Sequence, residues 1–534
     1  MSTFNTKKTN TPGEDKNTML NHEGSVSHKL NALEQLFSMS QGSYMGESTF
    51  YEERDALSDY RKVEKIVSEL PVEDAEYALK IAAISRASNM ISFPLAILTA
   101  AFNDDKFKGN NFADADGKSK MNGYTDKIVR RAKDITDILA TQISVYGFDS
   151  DGKKRTKPLP SQEKKQLKRK LESMDEYQLS KALRKGNVVS LADAIKLLHP
   201  SANPEFYKKV IENKVVFGNG KKLVQAELSK SKSNTSESTI EDVKASVATT
   251  PMLALVKNLV GLHNAKAITD ETSSIICSRL NNKAEVLRSK VMPYQLYDAY
   301  KMFKRLAQTA AEKNITTSLV KAIDFSVDNV ENIDGYTAYF VDLSGSMTSR
   351  VSSLSSTNAK EIASLLAAIG VKKSTCTVYA FGSRCEKVDV NSASTVVDIA
   401  DKIMSRYVGC ATYFDLAVRT YINDGVSHDN IVILSDGDCY GYHDGHITFA
   451  DWNGNADESV NTLFKKGMVK RVFTNNLCGN KFAMINTDDY RKNIVTGFTE
   501  KYIDEINATI MLQKLAGDIR TVIDFLYDKY YPCH

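Results

Sequence analysis

From about residue 30 to 320, apolar residues recur at i, i+3, i+4 and i+7, as in "YRKVEKIVSEL", "VEDAEYALKIAAISRA" and "QLYDAYKMFKRLAQTAAEK". That spacing gives a helix one apolar face. Strand-like runs are scarce there. Helices of this length between short polar breaks predict an all-α array of antiparallel pairs resembling HEAT-type repeats, although no strict sequence period runs through them. After about residue 330 the texture changes. "TAYFVDLS", "TCTVYAFGS", "NIVILSDGD" and "KRVFTNN" read as buried strands, and "AKEIASLLAAIG", "STVVDIADKIMS" and "DESVNTLFKKG" as the helices between them. Such alternation predicts a mostly parallel sheet with helices on both faces. The expected fold class is multidomain, α followed by Rossmann-like α/β.

Two polar stretches interrupt the helical part, "NDDKFKGNNFADADGKSKMNGY" (103–124) and "SKSKSNTSESTIED" (229–242), and both read as exposed loops. The first holds Asp114 and Asp116 before Gly117. An EF-hand frame would need an oxygen ligand at 112 and a Glu at 123, where Phe112 and Gly123 stand, so a solvated loop is expected. The expected division is a flexible N-terminus (1–17), a helical module (18–330), and an α/β domain with a C-terminal helical extension (331–534).

Composition narrows the function classes. The chain has 534 residues and a net charge of only +4, so nucleic-acid affinity would have to come from local clustering of charge. No apolar run of membrane-spanning length and no leader-like apolar segment occurs. Seven scattered cysteines without a CxxC pair fit reduced thiols, and the expected location is the cytoplasm. Cys439, His443 and His446 stand close together, but without a fourth ligand at a suitable spacing they read as a loop. No G-x-S-x-G, Walker A or HExxH pattern appears, and no enzymatic activity is expected.

The candidate chemistry sits in "YTAYFVDLSGSMTSR" (336–350). Alternate residues of an extended chain share a face, so Asp342, Ser344 and Ser346 converge where the strand leaves the sheet. "NIVILSDGD" brings Asp436 to the same edge, and "GCATYF" offers Thr412 from a loop between these strands. Two carboxylates and three hydroxyls are hard oxygen donors that suit Mg²⁺ or Mn²⁺ and leave room for a partner's carboxylate.

This D-x-S-x-S, Thr, Asp series resembles the metal-ion-dependent adhesion site (MIDAS) of von Willebrand factor A domains. The helical part in front of it is similar to the TROVE module of the Ro autoantigen family. "LEQLFSMSQGSYMGESTFY", "ISRASNMISFPLAILTAAF", "LPSQEKKQLKRKLESMDEYQLSKALRKGNVVSLADAIKLLHP", "TPMLALVKNL", "VMPYQLYDAYKMF" and "NKFAMINTDDY" carry the likeness. One departure is Cys410, Ala411, Thr412 and Tyr413, where the family usually shows Gly-Gly-Thr-Asp. The resemblance implies a HEAT-like ring that binds small non-coding Y-like RNA on its outer basic surface and single-stranded RNA ends in its hole. It further implies roles in ribonucleoprotein assembly or RNA quality control, an A domain able to recruit an exoribonuclease or another protein, and a monomeric chain. The alternative is an interaction protein that uses the A domain for adhesion without specific RNA.

Charge patterning fits the RNA reading. Residues 153–185 carry twelve Lys or Arg against four acids. Lys164 with Lys168, and Lys165 with Arg169, are like-charged i,i+4 pairs that repel unless an anion lies on them. RNA phosphates would supply that anion. Lys127, Arg130, Arg131 and Lys133 form a second cluster. By resemblance, Lys181, Arg184, Lys185 and His199 fall where RNA-contacting residues of the family lie.

Overall fold

The computed structural model describes residues 17–22, 25–147, 159–183, 188–212, 240–350, 357–439, 456–487, 489–512 and 519–532. Helices occupy the chain from Ala32 to Ile211 and from Ile240 to Ser326, and the sheet follows. The first half packs around Leu36, Val63, Leu79, Ile97, Phe102, Ile135 and Leu139. Its central helix Ser92–Asn103 (SFPLAILTAAFN) is apolar nearly all round and is buried from Phe93 to Phe102, as that composition requires.

The second half shares its core with the sheet. Leu296, Tyr297, Phe303 and Leu319 belong to the same apolar cluster as Ile362, Leu366 and Val341. "QLYDAYKMFKRLAQTAAEK" is two helices rather than one, Pro293–Lys304 and Ala310–Ser326. The break falls at a capping box, in which Thr309 accepts from Glu312 N–H and Glu312 accepts from Thr309 N–H.

The main sheet has six strands: β3 (Thr337–Asp342), β4 (Cys376–Phe381), β5 (Cys385–Val388), β6 (His428–Ser435), β7 (Val469–Asn476) and β9 (Lys492–Thr496). Their order is β5-β4-β3-β6-β7-β9, parallel except for the edge strand β5. Helices cover both faces, with Ala359–Lys373 over Tyr339 and Val341, and Phe414–Asp424 over Ala338 and Phe340. Gly370 makes the first contact possible, since a Cβ there would lie 2.5 Å from Tyr339 Cε2.

Three features depart from the sequence reading. β1 (Thr18–Leu20) and β2 (Val26–Lys29) form a hairpin that pairs with β8 (Phe482–Ala483), joining the start of the chain to the α/β part. The C-terminal helix Ile519–Tyr530 returns to the first helical half, where Ile523 and Leu526 enter its core. The stretch 103–124 is anchored by buried Phe107 and Phe112, whose rings meet edge to face at 5.3 Å. Asp114 Oδ1 there accepts from the N–H groups of Asp116 and Lys118, so its carboxylate closes a turn. Most of 229–242, and His443 and His446, lie outside the described residues.

Candidate metal centre and RNA-facing surface

β3 and β6 form because "TAYFVD" and "HDNIVILS" are rich in β-branched and aromatic residues and are buried on both faces. They are neighbours in parallel register, Val341 opposite Leu434, and β3 is also where the strand order reverses. Open α/β sheets gather ligands outside such a switch point. Asp342 and Asp436 leave the two strands there.

The structure links four of the predicted donors, Asp342, Ser344, Ser346 and Asp436, and buries Thr412 on the loop whose Cys410 O accepts from Gly345 N–H. Asp342, Ser344, Ser346, Thr412 and Asp436 are each no more than 6% exposed. Asp342 Oδ1 accepts from Ser344 N–H at 2.9 Å, and the hydroxyls of Ser344 and Ser346 are 3.3 Å apart. Ser346 also bonds to Asp436. The loop carrying Thr412 is held despite its departure from Gly-Gly-Thr-Asp. Gly345 N–H donates to Cys410 O, Ala411 N–H to the Ser383 hydroxyl, and Tyr413 N–H to Gly382 O.

Three neighbours escaped the sequence reading. Ser435, level with Asp342 across the strands, donates its hydroxyl to Asp342 Oδ2 at 2.6 Å. Asp438 is fully buried and reached by a turn in which Gly437 has φ +85°, a conformation that favours glycine. His22 stands 416 positions from Asp438. Its N–H donates to Asp438 Oδ1, its Nδ1 lies 3.0 Å from Oδ2, and its ring stacks on Tyr51 at 4.9 Å. An acid two residues beyond Asp436 is a local signal for Asp438; nothing in the sequence points to His22.

Electrostatics at the sheet edge are those of a site short of positive charge. Burial raises the Asp342 carboxyl above its ordinary pKa, opposed by hydrogen bonds from Ser435 and Ser344. Burial raises Asp436 too, reinforced by the negative Asp342 and Asp438 beside it. Among the described residues, no Lys or Arg comes within ion-pair distance of Asp342 or Asp436. Nor do three or more His, Cys, Asp or Glu side chains cluster there as a metal site. The donor set is two acids and three hydroxyls, which fits a hard divalent cation and gives the buried negative charge a counter-ion.

The predicted RNA-contacting residues separate into two groups. Helix Met121–Ile128 packs on Ser161–Glu172, which packs on Leu191–Leu198, so the helices that carry Lys127, Lys164, Lys168 and Arg169, and the one that His199 ends, form one continuous layer. Several are occupied within the fold. Arg130 donates to Lys127 O, Arg86 O and the Tyr531 hydroxyl. Arg131 pairs with buried Asp134, and Lys127 sits over the Tyr527 and Tyr531 rings at 5.4 Å. Arg169 holds Asp126 and Asn122 O.

Lys164, Lys168 and Lys181 make no ion pair among the described residues, and Lys181 lies 4.2 Å over the Tyr177 ring. His199 is exposed and ends helix Leu191–Leu198 in the left-handed conformation, φ 52°. Arg184 and Lys185 lie outside the described residues. Sequence reasoning found the charges, but it could not tell which were already spent on neighbours.

Residues 244–408 match the TROVE domain family model. No curated protein sequence matches the chain. Among solved structures, the Ro (RSR) protein of Deinococcus radiodurans aligns with a TM-score of 0.57 at 14% identity, covering 93% of this chain and 100% of that one. Two crystal structures of proximal thread matrix protein 1 from the mussel byssus also align at 14% identity, with TM-scores of 0.20 and 0.21. They cover 41% and 59% of this chain and 53% and 80% of those chains, and likeness at that level carries no argument. Among the described residues no helix is long and apolar enough to cross a membrane. The chain thus carries a TROVE domain match over residues 244–408 and shares the overall fold of the Deinococcus Ro protein, a helical part followed by an α/β part.

Proposed function

We propose that this protein binds a structured, Y-like non-coding RNA on the layer formed by helices Met121–Ile128, Ser161–Glu172 and Leu191–Leu198. The observation that carries the reading is that the ammonium groups of Lys164, Lys168 and Lys181 meet no carboxylate among the described residues. Phosphates would neutralise them, and the ring of Tyr177 beside Lys181 offers a surface for an unpaired base. Recognition on such a surface runs through phosphates, shape and splayed bases. In this reading Arg130, Arg131 and Arg169 set the geometry of the layer, because their guanidiniums already serve internal acceptors. Single-stranded RNA ends entering between the two helical halves form the second part of the reading. The protein acts by binding rather than by catalysis, in ribonucleoprotein assembly or RNA quality control.

Salt titration of RNA affinity tests this reading. Each phosphate contact contributes roughly 0.7 to 0.9 to the slope of log K against log salt. Replacing Lys164, Lys168 and Lys181 by Ala should therefore flatten the slope by about 2 to 3 and weaken binding. An unchanged slope would remove the assignment.

At the sheet edge, Asp342, Ser344, Ser346, Thr412 and Asp436 are proposed to hold Mg²⁺ or Mn²⁺. When bound, the ion would supply a Lewis-acidic position for a carboxylate of a protein partner, such as an exoribonuclease. Ser435 and Ser344 N–H orient the Asp342 carboxylate, and His22 orients Asp438 beside it. Calorimetric Mn²⁺ titration should show binding that Asp342→Asn abolishes while RNA affinity stays unchanged. Equal Mn²⁺ binding by both proteins would refute the site.

A further inference from the structure

β9 ends the strand order beside β7, so only one of its two edges is paired within the sheet. Along an extended chain, the backbone groups of successive residues point to opposite sides. Val472 N–H on β7 donates to Arg491 O at 2.8 Å. The register therefore turns the backbone groups of 491, 493 and 495 toward β7, and those of Lys492, Ile494 and Thr496 outward. At the two ends the outward N–H groups are satisfied, since Lys492 donates to Asp489 O and Thr496 to Glu505 Oε2. Between them, the outward N–H and C=O of Ile494 make no hydrogen bond among the described residues.

The two edges of the sheet differ in charge. β5, at the far edge, carries Glu386 and Lys387 in ion pairs with Arg384 and Asp424, and such charges discourage pairing with another strand. The only charged residue of β9 is Lys492, which is buried and held by Asp457.

A crevice of about 70 Å³ lies against β9. Ile494 lines it together with Phe37 of helix Ala32–Gly42, Leu512 of helix Tyr502–Leu512 and Val522 of the C-terminal helix. Glu505 lines it too, and is only 4% exposed. Its Oε2 accepts from Thr496 N–H, and its other oxygen has no hydrogen-bond partner among the described residues. Burial holds this carboxyl well above the ordinary glutamate range, so near neutral pH it keeps its proton and is a donor without an acceptor.

These features discriminate among ligands. The volume is about half the roughly 150 Å³ of a cavity that encloses benzene, so a small aliphatic side chain fits and a nucleobase does not. A phosphate would find no free cation, because the ammonium in the wall, that of Lys492, belongs to Asp457. An open N–H and C=O on one strand residue, with a carboxyl hydroxyl beside them, match the alternating donors and acceptors of an extended backbone.

We propose that the outer edge of β9 takes up an extended peptide segment of a partner protein as an added antiparallel strand. One partner residue exchanges both backbone hydrogen bonds with Ile494. Directly paired residues of such strands place their side chains on the same face, so its small aliphatic side chain enters the crevice beside Ile494. β6 and β7 stand between β9 and β3 in the strand order, so this site uses none of the oxygen donors at Asp342 and Asp436.

The test titrates the acetylated, amidated peptide Thr-Lys-Thr-Val-Thr-Lys-Thr into the full-length, RNA-free chain, isotopically labelled at isoleucine. NMR follows the Ile494 amide, assigned through Ile494→Val. In the free chain that amide should exchange quickly with water, and the peptide should shift it and slow its exchange saturably. The same peptide N-methylated at its Val has lost one donor and should bind about tenfold more weakly or worse. A peptide with Trp in place of Val should also bind more weakly, because the ring is too large for the crevice. Ile494→Pro removes the N–H at an edge position where proline is tolerated, and Leu512→Trp fills the crevice with every backbone group kept. Each variant is checked for an unchanged melting temperature, and each should weaken binding about tenfold or more. If Ile494→Pro does not fold, Leu512→Trp and the N-methylated peptide still decide.

A slowly exchanging Ile494 amide in the free chain overturns the proposal, because the chain would already cover its own edge. Absence of saturable binding overturns it, and so does equal binding of the N-methylated peptide. Displacement of the peptide by an oligouridylate would make the crevice part of a nucleic-acid site and overturns it as well. Leu512→Trp should keep wild-type RNA affinity, and a chelator should leave peptide binding unchanged, so failure here is read separately from failure of the RNA surface or of the metal site.

Discussion

Glu163 lies on the inner face of the helix that presents Lys164 and Lys168, and neither of its carboxylate oxygens has a hydrogen-bond partner. Burial pushes its carboxyl up to about 8, against 4.5 for a solvated glutamate. A raised folded-state value means that the folded chain holds this proton more tightly than the unfolded one. The contribution is therefore fully present below about pH 4.5 and is lost as pH rises toward about 8.

At 1.36 kcal/mol per pH unit, the group costs about 3 kcal/mol of stability between about pH 5 and about pH 7.5. Glu163→Met keeps the chain length and removes the proton equilibrium. Its advantage over wild type should grow by about 3 kcal/mol across that interval. Glu500, raised to about 7 by burial, titrates in the same direction, so the wild-type curve alone cannot isolate Glu163, and the difference between variant and wild type can. Urea unfolding followed by circular dichroism at the two pH values measures it. Hydrogen exchange of the 161–172 amides shows whether the gain is local. A difference that stays flat across the interval would refute the reasoning, because it would mean that Glu163 is solvated or paired in the folded chain.

Gly370→Ala should destabilise the chain by about 1 to 3 kcal/mol or more, since the new Cβ would overlap the buried Tyr339 ring, and thermal unfolding will show it. Asp134→Ala removes the partner of buried Arg86 at 2.7 Å and the acceptor for the N–H groups of Arg130 and Arg131, for an expected loss of about 3 to 5 kcal/mol in denaturant titration. Leu526→Ala should cost about 2 to 5 kcal/mol and raise exchange in helix Ala75–Ala87, which lies far away in sequence but in the same core.

Periodicity by itself determined the two architectures. The change near residue 330 from amphipathic helical spacing to short continuous apolar runs is a property of local sequence, because a half-buried helix needs one apolar face and a strand buried on both faces needs apolar residues throughout. The strand period also puts Asp342, Ser344 and Ser346 on one strand exit, with Asp436 just past the end of the neighbouring strand. The break at Thr309 was legible too, as a Thr-x-x-Glu capping box, although the helical period on either side masks it.

Tertiary structure decided what depends on distant partners. A positive charge count cannot separate Arg130, committed to Arg86 O and Tyr531, from Lys164 or Lys168, because the competing acceptors lie up to 401 positions away. The same holds for His22 beside Asp438, for the return of helix Ile519–Tyr530 to the first helical half, and for the crevice beside β9 assembled from several separate elements. In each case the interaction is short in space and long in sequence, so no local pattern of hydrophobic and polar residues encodes it, and only the packed chain brings the groups together.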